Sequence, residues 1–153
     1  MKIVIPSKGR ANVLREGALK LFPSALICVG ESDVPAYSEL SDNLLVHPDN
    51  VTGIGPIRQW ILDNVKDEIV VQVDDDVHTV YSICGLTKRT LNSAAIAERI
   101  IYTTAQCAKD AKCRVFGFNQ AWDVRKFRPY KPFQLNTWVG VVGGYTSMRC
   151  NRS

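Results

Sequence analysis

The stretch Ile69-Val70-Val71-Gln72-Val73-Asp74-Asp75-Asp76-Val77 decides the fold. Five mostly β-branched residues run straight into three carboxylates. β-branched side chains suit a pleated, packed surface, so the apolar part reads as a strand. A nearly continuous apolar strand is buried on both faces, as in a parallel sheet covered by helices. The acids then fall at its C-terminal end, where open α/β sheets place their ligands. If the strand continues through them, Asp74 and Asp76 point one way and Asp75 the other. Two like charges about 7 Å apart repel by roughly 2–3 kcal/mol at an effective dielectric near 20. A divalent cation offsets that repulsion, and Mg²⁺ typically takes one or two carboxylates plus substrate phosphates. The plainer reading is a solvated acidic turn after a strand. Three acids at the mouth of a buried strand are a costly place for charge without a purpose.

The segments before it alternate strand and helix. Lys2 to Ile5 reads as a strand, followed by the cationic turn Pro6-Ser7-Lys8-Gly9-Arg10. Helical spacing over Ala11 to Leu21 predicts one helix, stopped by Pro23. Ala25 to Val29 and Leu44 to His47 are further strands, with a short helix over Pro35 to Leu40 between them. Pro56 to Val65 reads as a helix with Ile57, Trp60, Ile61 and Val65 on one side. This alternation predicts an α/β fold: a mostly parallel sheet with helices on both faces. After the acids, His78 to Cys84 reads as a strand. Asn92 to Lys112 reads as the longest helix, with Ile96, Ala97, Ile100, Cys107 and Ala108 inward. Val115 to Phe118 and Leu135 to Tyr145 read as strands, and the basic stretch Asp123 to Pro132 as a loop.

At 153 residues the chain predicts one domain with a substantial core. No run approaches a membrane span, and the N-terminal apolar run is too short for a signal peptide. Five scattered cysteines without a Cys-x-x-Cys pair fit reduced thiols and a cytoplasmic setting. Cys28, Cys84 and Cys107 lie in apolar surroundings and read as core packing. Charge is uneven. Residues 1–108 hold 10 basic and 13 acidic residues, whereas residues 109–153 hold 9 basic and 2 acidic. The later part therefore suggests a surface for a polyanion. Arg125-Lys126-Phe127-Arg128-Pro129-Tyr130-Lys131 mixes cations with aromatics, as nucleic-acid grooves do, although a solvated basic loop would look the same. Trp122 and Trp138 could stack on a sugar or base, or simply pack. His78, two residues past Asp76, reads as a strand residue more readily than as a ligand.

In a parallel sheet the turns Pro6 to Arg10, Gly30 to Asp33, Pro48 to Gly55 and the acids crowd one edge. They predict a nucleotide-sized crevice with cations and backbone N–H groups opposite acids. Gly53-Ile54-Gly55-Pro56-Ile57-Arg58 is a glycine-rich lead into a helix, where phosphate is favoured. The planar fork of Arg58 suits a diphosphate. There is neither a Rossmann fingerprint nor a P-loop.

Ile3-Val4-Ile5-Pro6-Ser7-Lys8-Gly9-Arg10, Gly53-Ile54-Gly55-Pro56-Ile57-Arg58-Gln59-Trp60 and Val71-Gln72-Val73-Asp74-Asp75-Asp76-Val77, in that order and spacing, resemble the nucleotide-sugar half of a GT-A glycosyltransferase. The resemblance is strongest to the TET-associated glycosyltransferases of phages and bacteria, and it covers the first half of the chain best. It implies a GT-A-like sheet in one glycosyltransferase domain over 1–153, with 1–84 as the nucleotide-sugar half and 85–153 as a partial acceptor half. It also implies a bacterial or phage-infected host cytoplasm, a nucleotide-sugar donor (a UDP-sugar foremost) and Mn²⁺ or Mg²⁺. The implied acceptor is a modified pyrimidine in DNA.

Residue by residue, the resemblance makes Asp76 a metal ligand and Asp74 a ligand or a ribose contact. Arg58 falls on the phosphate side, while Pro6, Ser7 and Arg10 lie where base and ribose are cradled, with Glu31 and Asp75 completing the donor set. Arg125, Lys126, Arg128 and Trp138 are the candidate acceptor contacts. The family's carboxylate base is expected after the last core strands. Beyond Lys112 that leaves Asp123, or a residue past Ser153 on a longer chain, which the abrupt end favours. The competing expectations are a nucleotidyltransferase on a similar sheet and a non-catalytic nucleic-acid-binding module.

Overall fold

The computed structural model describes residues 1–84, 87–91, 93–118 and 142–146. Four parallel strands form its centre: β1 (Lys2–Pro6), β2 (Leu26–Gly30), β3 (Leu44–His47) and β4 (Ile69–Val73). They lie in the order β3-β2-β1-β4, with Val4 opposite Leu26 and Lys2 opposite Val70. Two antiparallel strands extend the sheet beyond β4: β8 (Val142–Thr146) beside it and β7 (Val115–Gly117) at the edge.

Every residue of β4 is buried, as its unbroken apolar run predicts. Successive residues serve opposite layers. Ile69, Val71 and Val73 join Ile3, Ile5, Ile27 and Val29 in the larger core. That core is closed by α1 (Ala11–Glu16), α2 (Ala18–Leu21), α3 (Val34–Ser38) and α5 (Ala94–Asp110). Val70, Val4 and Cys28 face the other way, against Ile57, Ile61 and Val65 of α4 (Ile54–Asn64) and its end. Helices thus cover both faces. Each fully buried aliphatic side chain contributes about 1.5–3 kcal/mol, and a one-residue slip of β4 would exchange the two sets.

Three expectations need correction. The stretch Ala11 to Leu21 is two helices, because Gly17 closes α1 by donating its N–H to the carbonyls of Val13 and Leu14, at 2.9 and 3.3 Å. The strand after the acids begins at Val80 and leaves the main sheet. Among the described residues β5 (Val80–Cys84) pairs only with β6 (Thr87–Leu91), in an antiparallel hairpin that the periodicity does not reveal. In α5 the inward stripe is Ala97, Ile101, Ala105 and Ala108, while Ile96 and Cys107 are exposed. These four residues recur at steps of three and four, which keeps them on one side of the helix. As expected, Trp60 lies on the same side of α4 as Ile57, Ile61 and Val65, partly buried against their core. The expected loop over Asp123 to Pro132 lies outside the described residues. Among the described residues no helix is long and apolar enough to cross a membrane.

Cys28 is fully buried, and burial pushes its thiol up to about 12. The thiolate is the nucleophile, so the folded protein should leave Cys28 unmodified by a maleimide while the exposed Cys107 reacts. Peptide mapping by mass spectrometry, before and after denaturation, checks this. Equal labelling of the two in the folded state would contradict the packing.

Candidate nucleotide and metal site

Because β1 to β4 are parallel, the turns that follow them share one edge of the sheet. The acids do not continue β4. The strand ends at Val73, and Asp74 to Val77 turn back, with the Val77 N–H donating to the Asp74 carbonyl at 3.3 Å. Strand alternation is therefore not what separates the carboxylates. The turn itself sends Asp75 inward to 3 % exposure. Asp74 and Asp76 stay accessible, at 31 % and 52 %.

Buried Asp75 is paired. The Ser7 hydroxyl donates to its Oδ2 at 2.7 Å and the Arg10 Nε donates to the same oxygen at 3.1 Å. Arg10 Nη2 donates to its Oδ1, completing a two-pronged clasp. The clasp raises the Arg10 guanidinium further above its ordinary value, through the hydrogen bond to Asp75 and then its charge, so Arg10 stays cationic. The same Nη2 is 3.8 Å from Asp76 Oδ2. Arg58 Nη2 donates to Asp74 Oδ1. Each accessible acid thus faces one arginine. Burial raises the Asp74 carboxyl above the usual range, Arg58 pulls against this, and Asp76 and Asp75 add to the rise.

Arg58 reaches this position because α4 starts at the same edge. Gly53 precedes the helix with φ of +89°, a conformation that side-chain-bearing residues rarely adopt. Gln72 of β4 is buried on the α4 side, and its Nε2 donates to the Arg58 carbonyl at 3.1 Å. This ties the helix to the strand that carries the acids. Pro6 ends β1 in the buried interior, and the next N–H, that of Ser7, donates to the Cys28 carbonyl at 3.0 Å. Glu31 is exposed in a short 3₁₀ turn directly after β2. Beside it a cleft of about 150 Å³ is lined by Lys8, Gly30, Ser32, Asp33, His47, Asp49, Val51 and Ile57.

The structure brings together Ser7, Arg10, Arg58, Asp74, Asp75 and Asp76, while Pro6 and Glu31 flank them. It sets Ser7 and Asp75 in internal hydrogen bonds rather than at the surface. Asp123, Arg125, Lys126, Arg128 and Trp138 lie outside the described residues. His78 follows the turn off any strand, and its Nδ1 is 3.4 Å from the Glu16 carbonyl. Sequence reading missed Tyr37, His47 and Asp49. The last two could have been found, since they stand at the end of β3 and in the turn after it. Tyr37 carries no signal in sequence, being one aromatic in a short helix.

Asp74 and Asp76 suit a hard divalent cation: two accessible carboxylates with oxygens to spare. Among the described residues no group of three or more His, Cys, Asp or Glu side chains could hold a metal. Such an ion would draw its remaining ligands from water or from a bound phosphate, as Mg²⁺ characteristically does.

The acids, the arginines and the cleft thus lie at the C-terminal edge of the parallel strands, where open α/β sheets place their ligands. The chain belongs to the TET-associated glycosyltransferase family, whose profile matches residues 1–152. Among curated proteins, none matches. Among solved structures, the chain is similar to the crystal structure of S. aureus TarS 1–349, at 16% identity and a TM-score of 0.49, over 96% of this chain and 47% of that one. It is also similar to CMP:2-keto-3-deoxy-manno-octonic acid synthetase complexed with CTP, at 12% identity and a TM-score of 0.43, over 95% of this chain and 73% of that one. The chain spans about half the length of the first of these.

Proposed function

We propose that the chain binds the nucleotide-sugar donor of a metal-dependent glycosyltransferase. The observation that carries this is the pairing of two accessible acids with two arginines at the C-terminal edge of a parallel sheet, in a chain of glycosyltransferase family. Asp74 and Asp76 hold Mn²⁺ or Mg²⁺, which when bound takes up charge that develops on the leaving nucleoside diphosphate. Arg58 and Arg10 supply fixed positive charge to the same diphosphate, and they need little reorganisation because Asp74 and Asp75 already orient them. The cleft beside Glu31 takes the base and ribose, with a UDP-sugar as the favoured donor.

The favoured acceptor is the hydroxyl of a hydroxymethylated or otherwise modified pyrimidine in DNA. The family description and the basic excess of residues 109–153 support it. Arg125, Lys126, Arg128 and Trp138 contact that acceptor, and Asp123 is the base available within this chain to accept the hydroxyl proton. The setting is the cytoplasm, and 1–84 and 85–153 are the donor and acceptor parts of one domain.

Thermal unfolding with UDP and Mn²⁺, separately and together, tests the donor reading. Both together at 100 times the Kd should stabilise the fold by about 2.7 kcal/mol, with little effect of either alone. No shift with any nucleoside diphosphate and either metal would overturn it. A response to nucleoside triphosphates alone would favour a nucleotidyltransferase.

A further inference from the structure

Tyr37 is fully buried, and its hydroxyl touches two residues of the proposed donor site. It lies 2.8 Å from Ser7 Oγ and accepts the backbone N–H of Arg10 at 2.9 Å. The direction of each bond follows from proton counting. Ser7 has one hydroxyl proton and gives it to the Asp75 carboxylate. Towards Tyr37 the Ser7 oxygen can therefore only accept. Tyr37 has one proton as well and gives it to Ser7, keeping a lone pair for the Arg10 N–H. Asp75 is in turn clasped by the Arg10 side chain. The bonds close a ring that leaves Arg10 by its backbone and returns by its guanidinium, each hydroxyl donating once and accepting once.

The ring spans three chain segments: the turn after β1, helix α3 and the acid turn after β4. Its members are buried except Arg10, whose side chain is half exposed. A buried hydroxyl between two fixed partners has one low-energy orientation, and losing a link leaves a neighbour's polar group unsatisfied in a dry place.

We propose that Tyr37 is a positioning residue for donor binding: through Ser7 and Asp75 it fixes the Arg10 guanidinium beside Asp76. This rests on the donor-site reading above. Tyr37 touches no ligand in this role, and Arg10 is the group that does. The phenyl ring fills the core between α3 and the sheet, so Tyr37→Phe keeps the packing and removes only the link.

A double-mutant cycle on the affinity for UDP with Mn²⁺, measured by calorimetry well below the unfolding temperature, tests it. Tyr37→Phe should weaken binding about tenfold. Ser7→Ala, which cuts the next link, should do the same, and the two together should be little worse than either. In an Arg10→Ala background, Tyr37→Phe should change affinity less than twofold, because the group it positions is gone. An equal loss in both backgrounds would mark Tyr37 as merely structural and overturn the proposal, as would wild-type affinity in Tyr37→Phe.

Hydrogen exchange at Arg10 gives an arm that needs no nucleotide. The Arg10 amide and its Nε–H should exchange at least about tenfold faster in Tyr37→Phe by NMR, with the amides of β1 and β4 unchanged. Unchanged exchange at Arg10 would overturn the ring. Failure of the wild-type chain to bind UDP with Mn²⁺ while the exchange result holds would instead count against the donor-site reading.

Discussion

Asp76→Asn is expected to abolish the joint stabilisation by UDP and Mn²⁺ and to lower glycosyl transfer by roughly a hundredfold or more. Asp76 is the most exposed of the three acids, and its contact with Arg10 is long, at 3.8 Å. The fold asks little of it, so the unliganded variant should unfold within about 0.5 kcal/mol of wild type. Asparagine keeps the shape and removes the charge. A metal ligand would feel that change, whereas a solvated acid would not. Thermal unfolding with and without UDP and Mn²⁺, beside Asp63→Asn on the exposed side of α4 as control, separates the two. A full nucleotide response in Asp76→Asn would remove Asp76 from the ligand set and leave it a solvated acid. The same measurement in acid has a signed expectation. Burial raises the Asp74 carboxyl, so Asp74 takes up a proton at a higher pH than an exposed aspartate would. A protonated carboxyl is a poor ligand for Mn²⁺, so wild-type cation binding should fade as the pH falls through that raised value.

The central sheet was legible because β4 is written in nearly pure β-branched code and the preceding segments alternate in type. Its antiparallel extension was less so: β7 has three residues, and its partner β8 ends in Gly143-Gly144-Tyr145-Thr146, which says nothing about direction. The β5–β6 hairpin escaped for a related reason. Thr87 to Leu91 is polar and half exposed, without the alternation that marks a strand. The acid turn was legible as a site but not in its geometry. Reading the three acids as strand put Asp75 on the far face, whereas a turn buries it against Ser7 and Arg10. Which acid goes inward depends on partners 65 and 68 positions away in sequence, and no local pattern holds that information. Tyr37 is the same case in stronger form, since its role exists only once α3 is packed.

Gly17→Ala is expected to destabilise the fold by about 1–2 kcal/mol and to weaken donor binding with it. Sequence alone makes Gly17 a mild flaw in a helix, where alanine would help by up to about 1 kcal/mol. The structure reverses the sign. A Cβ there would stand 2.9 Å from the Asp75 carbonyl oxygen, 3.0 Å from that of Val13 and 3.2 Å from His78 Cε1. Two of these are main-chain oxygens that cannot rotate away, so α2 or the acid turn must move. Overpacking of this kind costs about 1–3 kcal/mol, offset by about 0.4–1 kcal/mol from the stiffer unfolded chain. At this chain length the net effect lowers the Tm by roughly 2–8 °C. Displacing the Asp75 backbone also draws its carboxylate from Ser7 and Arg10, so affinity for UDP with Mn²⁺ should fall even far below the Tm. Gly55→Ala is the comparator. Nothing lies within 4 Å of its would-be Cβ, so in α4 it should be neutral or stabilising. If Gly17→Ala matched Gly55→Ala in Tm and wild type in nucleotide affinity, the helix break would not be what seats the acid turn. If only the Tm fell, Gly17 would support the fold without reaching the site. The paired loss is the result expected when one close backbone approach, between the end of α1 and Asp75, holds the turn that presents the acids.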